Sequence, residues 1–361
     1  MFNESWIVLE ALIGSWAYGL NTPESDEDYR GICIPDEIYL RSPFKNFEQY
    51  EDPTKDRQIY GITKFVKLAR DNNPNIVELL AVDDKFIKTI KWPGKLLRDN
   101  VNLFLSAKCK FTFSGYSFSQ LQRIKTHKKW LDKIPEKPIE PKRTSSIVAT
   151  NAMKNMLDGF RDFVAQIVAE KLHKELAYKD IDMELKDLTD MMSHTMADFP
   201  MVYFRDYAVK FFKSISKNVM KEESYILLQE EFDYFFKLNE WNQYQTWQKN
   251  RNPKRAELEA KYGYDVKHGS HLVRLLKQCE NILTKGYLNV WVGDDKDILA
   301  VKNGEWTYEY LIKWADDFNE KINDIYNTNS YVIRKSPDNE KIEELYLEII
   351  DRWFCKEEFS A

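Results

Sequence analysis

Two short segments near the start of the chain carry residue types that suit phosphate and metal chemistry. They are residues 14–20, which read GSWAYGL, and residues 25–31, which read SDEDYRG. Gly14 lets a backbone N–H come close to a phosphate group, and the Ser15 hydroxyl can donate a hydrogen bond to it. Asp26 and Asp28 stand two residues apart, so on an extended strand both carboxylates face the same side. Paired carboxylates beside a phosphate cradle form a holder for Mg²⁺ or Mn²⁺, because these ions prefer oxygen ligands.

The elements predicted around these segments would hold the two groups together. An apolar, partly β-branched run over residues 6–13 predicts a buried strand that stops at Gly14. Ser15 is predicted to open a short helix, whose N-terminus favours an anion. A second strand is predicted over residues 29–35, directly after the acidic pair. The alternative is a solvated surface turn, where Asp-x-Asp pairs are also common.

The two segments are part of a wider resemblance. Together with further blocks they resemble the DNA polymerase beta-type nucleotidyltransferase superfamily, and within it the RNA-repair-associated branch of bacteria and large bacteriophages. The further blocks are residues 56–60 (DRQIY) with 64–65 (KF), 73–80 (NPNIVELL), 113–116 (FSGY) with Gln120, 251–255 (RNPKR), 263–275 (GYDVKHGSHLVRL) and 303–306 (NGEW). The blocks run from about residue 6 to residue 310, except for a less familiar middle between roughly residues 131 and 235. Any one block is a weak signal, whereas the combination is specific.

The resemblance implies a nucleotidyltransferase that uses Mg²⁺ or Mn²⁺ and moves a nucleoside monophosphate from an NTP to the end of an RNA, with release of pyrophosphate. RNA or tRNA repair is the implied setting. The fold expected from the order of elements is α+β, with a small mixed β-sheet that carries the site and a large α-helical extension. In the glycine-serine segment and the acidic segment, the residues expected to bind substrate are Gly14, Ser15, Tyr18 and Arg30.

Two-metal transfer chemistry calls for a third carboxylate beside Asp26 and Asp28. Asp56 is the first choice, because it precedes a predicted strand and aligns with an acidic position of the resembling family. Glu78 is the alternative metal ligand. It stands in an apolar run, where an unpaired carboxylate would be costly, and a helix-capping or ion-pair role explains it equally well. Asp52 is a weaker candidate.

A second constellation lies on a predicted helix in the C-terminal half. Lys267, His271 and Arg274 share one face of that helix, as do His268 and His271. The two cationic side chains are expected to bind phosphates and the two histidines to bond a base, ribose or phosphate, which is the interpretation that the resemblance favours. Two alternatives stay open. A histidine pair at this spacing also fits a zinc site, although only Asp265 lies near and no cysteine does, and His271 would otherwise be a buried structural residue beside a solvated Lys267.

Two basic stretches with neighbouring aromatic residues are candidate contacts for a polynucleotide. They are residues 123–130 and residues 249–255, and Arg251 and Arg255 of the second are predicted to bind substrate. A charge run alone is more often a solvated face. Because the formal net charge is −5, the whole molecule does not attract nucleic acid, and any RNA must be held by a local patch.

Composition and helical periodicity predict two domains. A nucleotidyltransferase core is expected over residues 1–130, and a mainly α-helical domain that completes the nucleotide and acceptor site over residues 131–361. The segments predicted as helices are residues 62–71, 114–130, 145–177 and 222–250. An exposed connector is predicted around Pro135, Pro138 and Pro141.

Location and partners follow from what the chain does not contain. The 4 cysteines are scattered with no CxxC pair, which indicates reduced thiols in a cytoplasm. The resemblance implies that this is the cytoplasm of a bacterium, or of the host cell if a phage encodes the protein. No segment is apolar enough to cross a bilayer, and none reads as a signal peptide. The oligomeric state is left open. Two other functions also stay open: nucleotidyl transfer to a protein or small-molecule hydroxyl, and nucleotide binding without catalysis.

Overall fold

The chain falls into two compact units. The first combines residues Met1–Leu131 with Asn252–Ala361, and the second is Asp132–Arg251. The structure, a computed structural model, describes residues 2–54, 56–140, 155, 159, 162–171, 173–174, 184–186, 189 and 222–355. The domain division predicted at residue 130, with everything after it in a second domain, stays a prediction.

A five-stranded sheet forms the centre of the first unit, in the order β3-β4-β2-β1-β5. β2 and β4 are parallel, and the other neighbours are antiparallel, so the sheet is mixed. The strands are β1 (Ile7–Leu12), β2 (Tyr29–Cys33), β3 (Gln49–Glu51), β4 (Arg57–Gly61) and β5 (Ile87–Ile90). The predicted α+β class with a small mixed sheet and a helical extension is confirmed.

β1, an interior strand of the sheet, is apolar on both faces apart from the buried Glu10. In β1 the side chains of Val8, Leu9 and Ala11 are fully buried, which explains why the segment reads as a continuous apolar run and not as an alternating one. β1 ends at the turn over residues 14–19. The helix expected to open at Ser15 is wrong: the hydrogen bonds there, such as Leu20 N–H to the Ser15 carbonyl at 2.8 Å, close a turn that does not propagate.

Helices fill the rest of the N-terminal part of the first unit. They are α1 (Ile38–Arg41), α2 (Ile62–Arg70), α3 (Pro74–Ala81), α4 (Trp92–Asp99), α5 (Val101–Phe104) and α6 (Cys109–Asp132), with 3₁₀ turns at Glu4–Trp6 and Asp84–Phe86. The Asn73 side chain accepts a hydrogen bond from the Asn75 amide and caps α3, with Pro74 at its first position, as a helix start requires. α6 begins earlier than predicted, because Phe113 and Cys109 are buried on the same face that the later turns use.

The C-terminal helices of the first unit pack on the same core. They are α8 (Pro253–Tyr262), α9 (Val266–Lys285), α10 (Lys296–Lys302), α11 (Tyr308–Asn327) and α12 (Asn339–Phe354). Buried residues of α9, such as Leu272 and Leu276, share one hydrophobic cluster with Val8, Phe65 and Phe113 from the N-terminal part. The chain therefore builds one core from segments that are far apart in sequence.

The second unit contains α7 (Glu222–Asn250), which matches the helix predicted over the same residues. Of the helix predicted over residues 145–177, residues 162–171 are described and are helical. Most of the rest of that span lies outside the described residues. Among the helices that the structure describes, none combines the length and apolar character needed to cross a membrane.

Candidate functional site

The predicted catalytic carboxylates meet at the edge of the sheet where β2 and β4 begin. These parallel strands pair Tyr29 with Arg57, and the Tyr29 amide donates to the Asp56 carbonyl at 2.6 Å. Asp28 and Asp56 each precede their strand by one residue, so the pleat of the sheet turns both side chains to the same face. Asp26 lies close enough to act electrostatically on Asp28. The structure thus brings the three carboxylates together.

The glycine-serine turn lies beside this carboxylate group. The Ile13 amide donates to the Asp28 carbonyl at 2.8 Å, which ties the end of β1 to the start of β2. Gly14 has a φ of +65°, and a Cβ atom at this position would lie 2.9 Å from Asp28 Oδ2. Glycine is required twice here, for the left-handed backbone and for the space that the carboxylate fills.

The Asp28 carboxyl is half-buried beside other charged groups. Burial and the negative charge of Asp26 raise the pKa of the Asp28 carboxyl, and Asp56 adds to the rise, while Arg30 and Lys267 act in the opposite direction. Among Asp28 and the described residues that act on it, three carboxylates face two cations, and a divalent ion would relieve the excess of negative charge. All the donor atoms are oxygens, so the set fits a hard ion such as Mg²⁺ or Mn²⁺.

A buried ion pair contacts Tyr18 of the glycine-serine turn. Glu78 and Arg274 are 5% and 3% exposed, and Arg274 Nη1 donates to Glu78 Oε1. The Tyr18 hydroxyl donates to Glu78 Oε2 at 2.7 Å, and the Arg274 guanidinium lies 3.9 Å from the centre of the Tyr18 ring. Arg274 Nη1 also donates to Gln278 Oε1 at 2.9 Å. Both oxygens of Glu78 are engaged, which is the arrangement of the ion-pair alternative and not that of a metal ligand.

The first turns of α9 face the carboxylates and the Tyr18 side chain. Asp265 caps the helix, since its Oδ1 accepts from the amides of Lys267 and His268 at 2.9 and 3.0 Å. Lys267 acts electrostatically on Asp28. His271 stands edge-on to Tyr18 with 6.4 Å between ring centres, and burial together with the neighbouring cations lowers its pKa well below the ordinary value. An uncharged His271 therefore sits beside the cationic side chains.

His268 connects α9 to α6 and α8. Its Nδ1 lies 2.7 Å from Gln120 Oε1 of α6, and its Nε2 lies 3.3 Å from Arg255 Nη1 of α8. Burial lowers the pKa of His268 to about 4, although Asp265 acts in the opposite direction, so the imidazole is neutral at neutral pH. Arg123 is a further cation that acts on this ring.

The remaining predicted substrate residues are distributed over both units. Ser15 lies in the turn after Gly14, and Arg30 lies on the same face of β2 as Asp28 by alternation. Arg251 belongs to the second unit, where its guanidinium stacks on Trp247 at 4.6 Å from the ring centre. Substrate binding by each of these residues stays a prediction.

Several polar residues near the carboxylates belong to the resembling blocks, but the sequence alone gave them no role in the site. Gln58 accepts a hydrogen bond from the Tyr60 hydroxyl on β4, and Asn73 Nδ2 donates to the Tyr116 hydroxyl at 3.1 Å. Arg30 and Tyr116 act electrostatically on the Tyr60 hydroxyl, so these three side chains lie near one another. Alternation from Asp56 along β4 is the signal that would have found Gln58 and Tyr60, whereas the contact with α6 has no local signal.

A comparison with known families tests the resemblance that the sequence motifs indicate. Residues 3–136 match the model of RlaP, the RNA repair pathway DNA polymerase beta family. The match spans the sheet, the glycine-serine turn, the three carboxylates and α6, and it confirms the predicted resemblance to the polymerase beta-type superfamily and its RNA-repair branch. The RlaP match suggests nucleotidyltransferase activity, a chemistry that typically uses divalent metals.

A similar protein comes from Enterobacteria phage T4, where it is named as an uncharacterized 38.9 kDa protein in the nrdC-mobD intergenic region. It is 25% identical over 162 residues, which are 39% of this chain and 48% of that protein. The aligned part therefore spans about half the length of that relative. No solved structure matches.

Proposed function

We propose that this protein is a metal-dependent nucleotidyltransferase that moves a nucleoside monophosphate from an NTP to the end of an RNA during RNA repair. The observation that carries the proposal is the position of Asp28: its Oδ2 occupies the space where a Cβ of residue 14 would stand, and the charges of Asp26 and Asp56 act on it. The RlaP match over residues 3–136 supports an RNA setting. The phage relative and the cysteines, all free, fit a bacterial or phage-infected cytoplasm.

In this proposal the chain supplies the ligands and the charge. Asp26, Asp28 and Asp56 would hold Mg²⁺ or Mn²⁺, which when bound would lower the pKa of the attacking hydroxyl and neutralise the charge on the leaving pyrophosphate. The turn at Gly14 would present backbone N–H groups to the triphosphate. Lys267 acts electrostatically on Asp28 and would bind the phosphate charges that the ion does not neutralise.

Further substrate contacts follow from the surroundings of the carboxylates. Ser15 and Arg30 would bind phosphate oxygens, and His271 would present a neutral ring beside Tyr18 to the sugar or base. Arg274 would act through the position of Tyr18, because its guanidinium is taken up by Glu78 and Gln278. Arg255, Arg251 and the cations of residues 123–129 would contact the RNA.

The experiment that tests the proposal is a transfer assay with the full chain. The protein is incubated with Mg²⁺, each NTP labelled at the α-phosphate, and tRNA or RNA fragments with defined ends. We expect label on the RNA and free pyrophosphate. Label on the protein or on a small-molecule hydroxyl would show that the acceptor is not RNA. If no acceptor is labelled, the proposed transferase activity is wrong.

Salt dependence is expected to separate an RNA acceptor from the others. The net charge of −5 favours an acceptor other than RNA unless local phosphate contacts hold the RNA. For single-stranded RNA the logarithm of the affinity should fall with the logarithm of salt concentration, with a slope of about −0.7 per phosphate contact. A binding titration at several salt concentrations measures this slope, and a slope near zero would contradict an RNA acceptor.

The Gly14→Ala variant tests the contact between the turn and the carboxylates. We expect transfer to slow by about 10²-fold, because the added Cβ must displace Asp28 from the metal-binding geometry. The left-handed backbone adds a stability cost of about 1–2 kcal/mol. Gly263→Ala is the matched control, since Gly263 also has a positive φ, +79°, but no heavy atom within 4 Å of the added Cβ. Transfer rates and urea unfolding of both variants decide it: equal rates would show that the contact has no catalytic importance.

A further inference from the structure

A group of metal-ligating side chains lies where α6 meets the start of α9, apart from the carboxylates of the sheet. One ligand atom each of His127, Asp265 and His268 lie within 4.8 Å of one another. We propose that these three residues form a binding site for Zn²⁺ or a similar late first-row divalent ion. This site is distinct from the Mg²⁺ or Mn²⁺ position at Asp28 and does not depend on the proposed function.

The tautomer of His268 suits metal binding. Its Nδ1 lies 2.7 Å from Gln120 Oε1, and because an amide oxygen only accepts, Nδ1 carries the hydrogen. Nε2 then carries the lone pair, and it lies 3.6 Å from Asp265 Oδ2. A histidine that ligates a metal typically donates its other ring N–H to such an oxygen, which fixes the ring.

Asp265 is held in place by the helix that it caps. Its Oδ1 accepts from the amides of Lys267 and His268, so its position is set by backbone groups, while Oδ2 faces His268 Nε2. The side chain is 2% exposed. A fixed, buried carboxylate oxygen beside an imidazole lone pair is half of a metal site that needs no rearrangement of the helix.

His127 is the member of the cluster that α6 supplies, and a buried carboxylate lies beside its ring. Its Nδ1 lies 3.4 Å from Glu259 Oε1 of α8, and Glu259 is itself buried. The ring centres of His127 and His268 are 5.9 Å apart. A carboxylate behind a ligating histidine orients the ring and raises its basicity. Each of the two histidines thus has an oxygen atom as a second partner.

The donor set selects the class of ion. Two imidazoles and one carboxylate suit Zn²⁺, which binds nitrogen at about 2.0–2.1 Å, and they suit Mg²⁺ poorly, because Mg²⁺ favours oxygen ligands. Ligand atoms around a tetrahedral zinc ion stand about 3.3 Å apart by the same bond lengths. The three side chains would close by an ångström or so, and a fourth position would be left for water or another ligand.

Arg255 is the competitor for this position. Its Nη1 lies 3.3 Å from His268 Nε2 and 3.7 Å from Asp265 Oδ2, so a guanidinium supplies the positive charge in the structure as it stands. The Arg255 side chain is 37% exposed and can turn into solvent, because no packing encloses it fully. Metal binding therefore exchanges one cation for another, and the ion would tie α6 to the helix that carries Lys267.

The test measures metal binding without nucleotide. The full chain, in a Cys355→Ser background that removes the exposed thiol, is stripped with a chelator and titrated with Zn²⁺ by calorimetry and with Co²⁺ by its ligand-field absorption. We expect about one high-affinity equivalent, a rise in melting temperature, and a Co²⁺ spectrum of tetrahedral type. His127→Gln and His268→Gln should each weaken binding by about 100-fold or more, and Gln120→Ala, which leaves the ligands intact, by about 10–100-fold.

Two further variants separate the metal from the arginine. Arg255→Ala should bind Zn²⁺ at least as tightly as the wild-type chain, since the competing cation is gone. His173→Gln, a histidine outside this cluster, should change nothing. The proposal is overturned if the wild-type chain binds neither ion stoichiometrically, or if binding survives both ligand substitutions in variants whose circular dichroism is unchanged. Either failure would leave the transfer assay, and with it the proposed function, untouched.

Discussion

The Asp28→Asn variant is expected to lose nucleotidyl transfer by about 10³-fold or more while the protein stays folded. Loss of one preorganised electrostatic group in an active site costs about 10²–10³-fold, and Asp28 is more central than one such group. Its Oδ2 fills the space that a side chain at position 14 would need, and the negative charges of Asp26 and Asp56 act on it. The amide keeps the shape of the side chain but removes the charge that would hold the metal ions. Steady-state transfer of labelled NMP at saturating Mg²⁺ measures the loss.

The control for this prediction lies in the same segment. Glu27 stands between the two aspartates, but its Oε2 accepts from the Tyr29 hydroxyl on the opposite face of the strand. Glu27→Gln removes the same charge from the same loop and should retain transfer within a few-fold. Asp26→Asn should behave like Asp28→Asn. Turnover that survives in either aspartate variant would mean that these carboxylates do not hold the catalytic metal ions.

Most of the carboxylate site is readable from sequence because its parts are local. β1 is recognisable as an apolar run. The Asp-x-Asp spacing places both carboxylates on the same face if the segment that leads into β2 is extended. Asp56 needs one more step, the parallel pairing of β2 with β4, which sequence alone suggests only through the resemblance. The failure at Ser15 is also physical. A turn with Gly14 and Gly19 both at positive φ satisfies its backbone locally and has no reason to continue as a helix.

The contacts that join the C-terminal helices to the sheet could not be read in the same way. Glu78 and Arg274 stand 196 residues apart, and Gln120 and His268 stand 148 apart. The periodicity of a helix predicts which of its faces is buried, but it does not predict which other helix packs against that face. The two histidines at positions 268 and 271 illustrate the consequence: their spacing points to each other as partners, whereas the structure gives His268 a neighbour on α6, His127, and turns His271 toward Tyr18.

The Arg274→Ala variant is expected to lower the free energy of unfolding by about 3–5 kcal/mol, because it leaves Glu78 charged and buried without its partner. Both side chains are almost fully inaccessible, so solvent screening does not soften the loss as it does at the surface. Arg41→Ala is the matched control, since Arg41, the last residue of α1, pairs with Glu37 just before that helix, and both side chains are exposed. Loss of that surface pair should lower the free energy of unfolding by no more than about 1 kcal/mol. Urea unfolding of both variants gives the two values.

The double variant Glu78→Gln with Arg274→Met separates the ion pair from the packing around it. Because it removes the buried charge together with its partner, it should recover a large part of the stability that Arg274→Ala loses. Transfer activity should not recover in parallel, since the Tyr18 hydroxyl and ring lose the geometry that Glu78 and Arg274 impose. If stability and activity return together, Tyr18 is held by other contacts and the pair serves the fold alone. If neither the single nor the double variant loses stability, the pair does not anchor the turn.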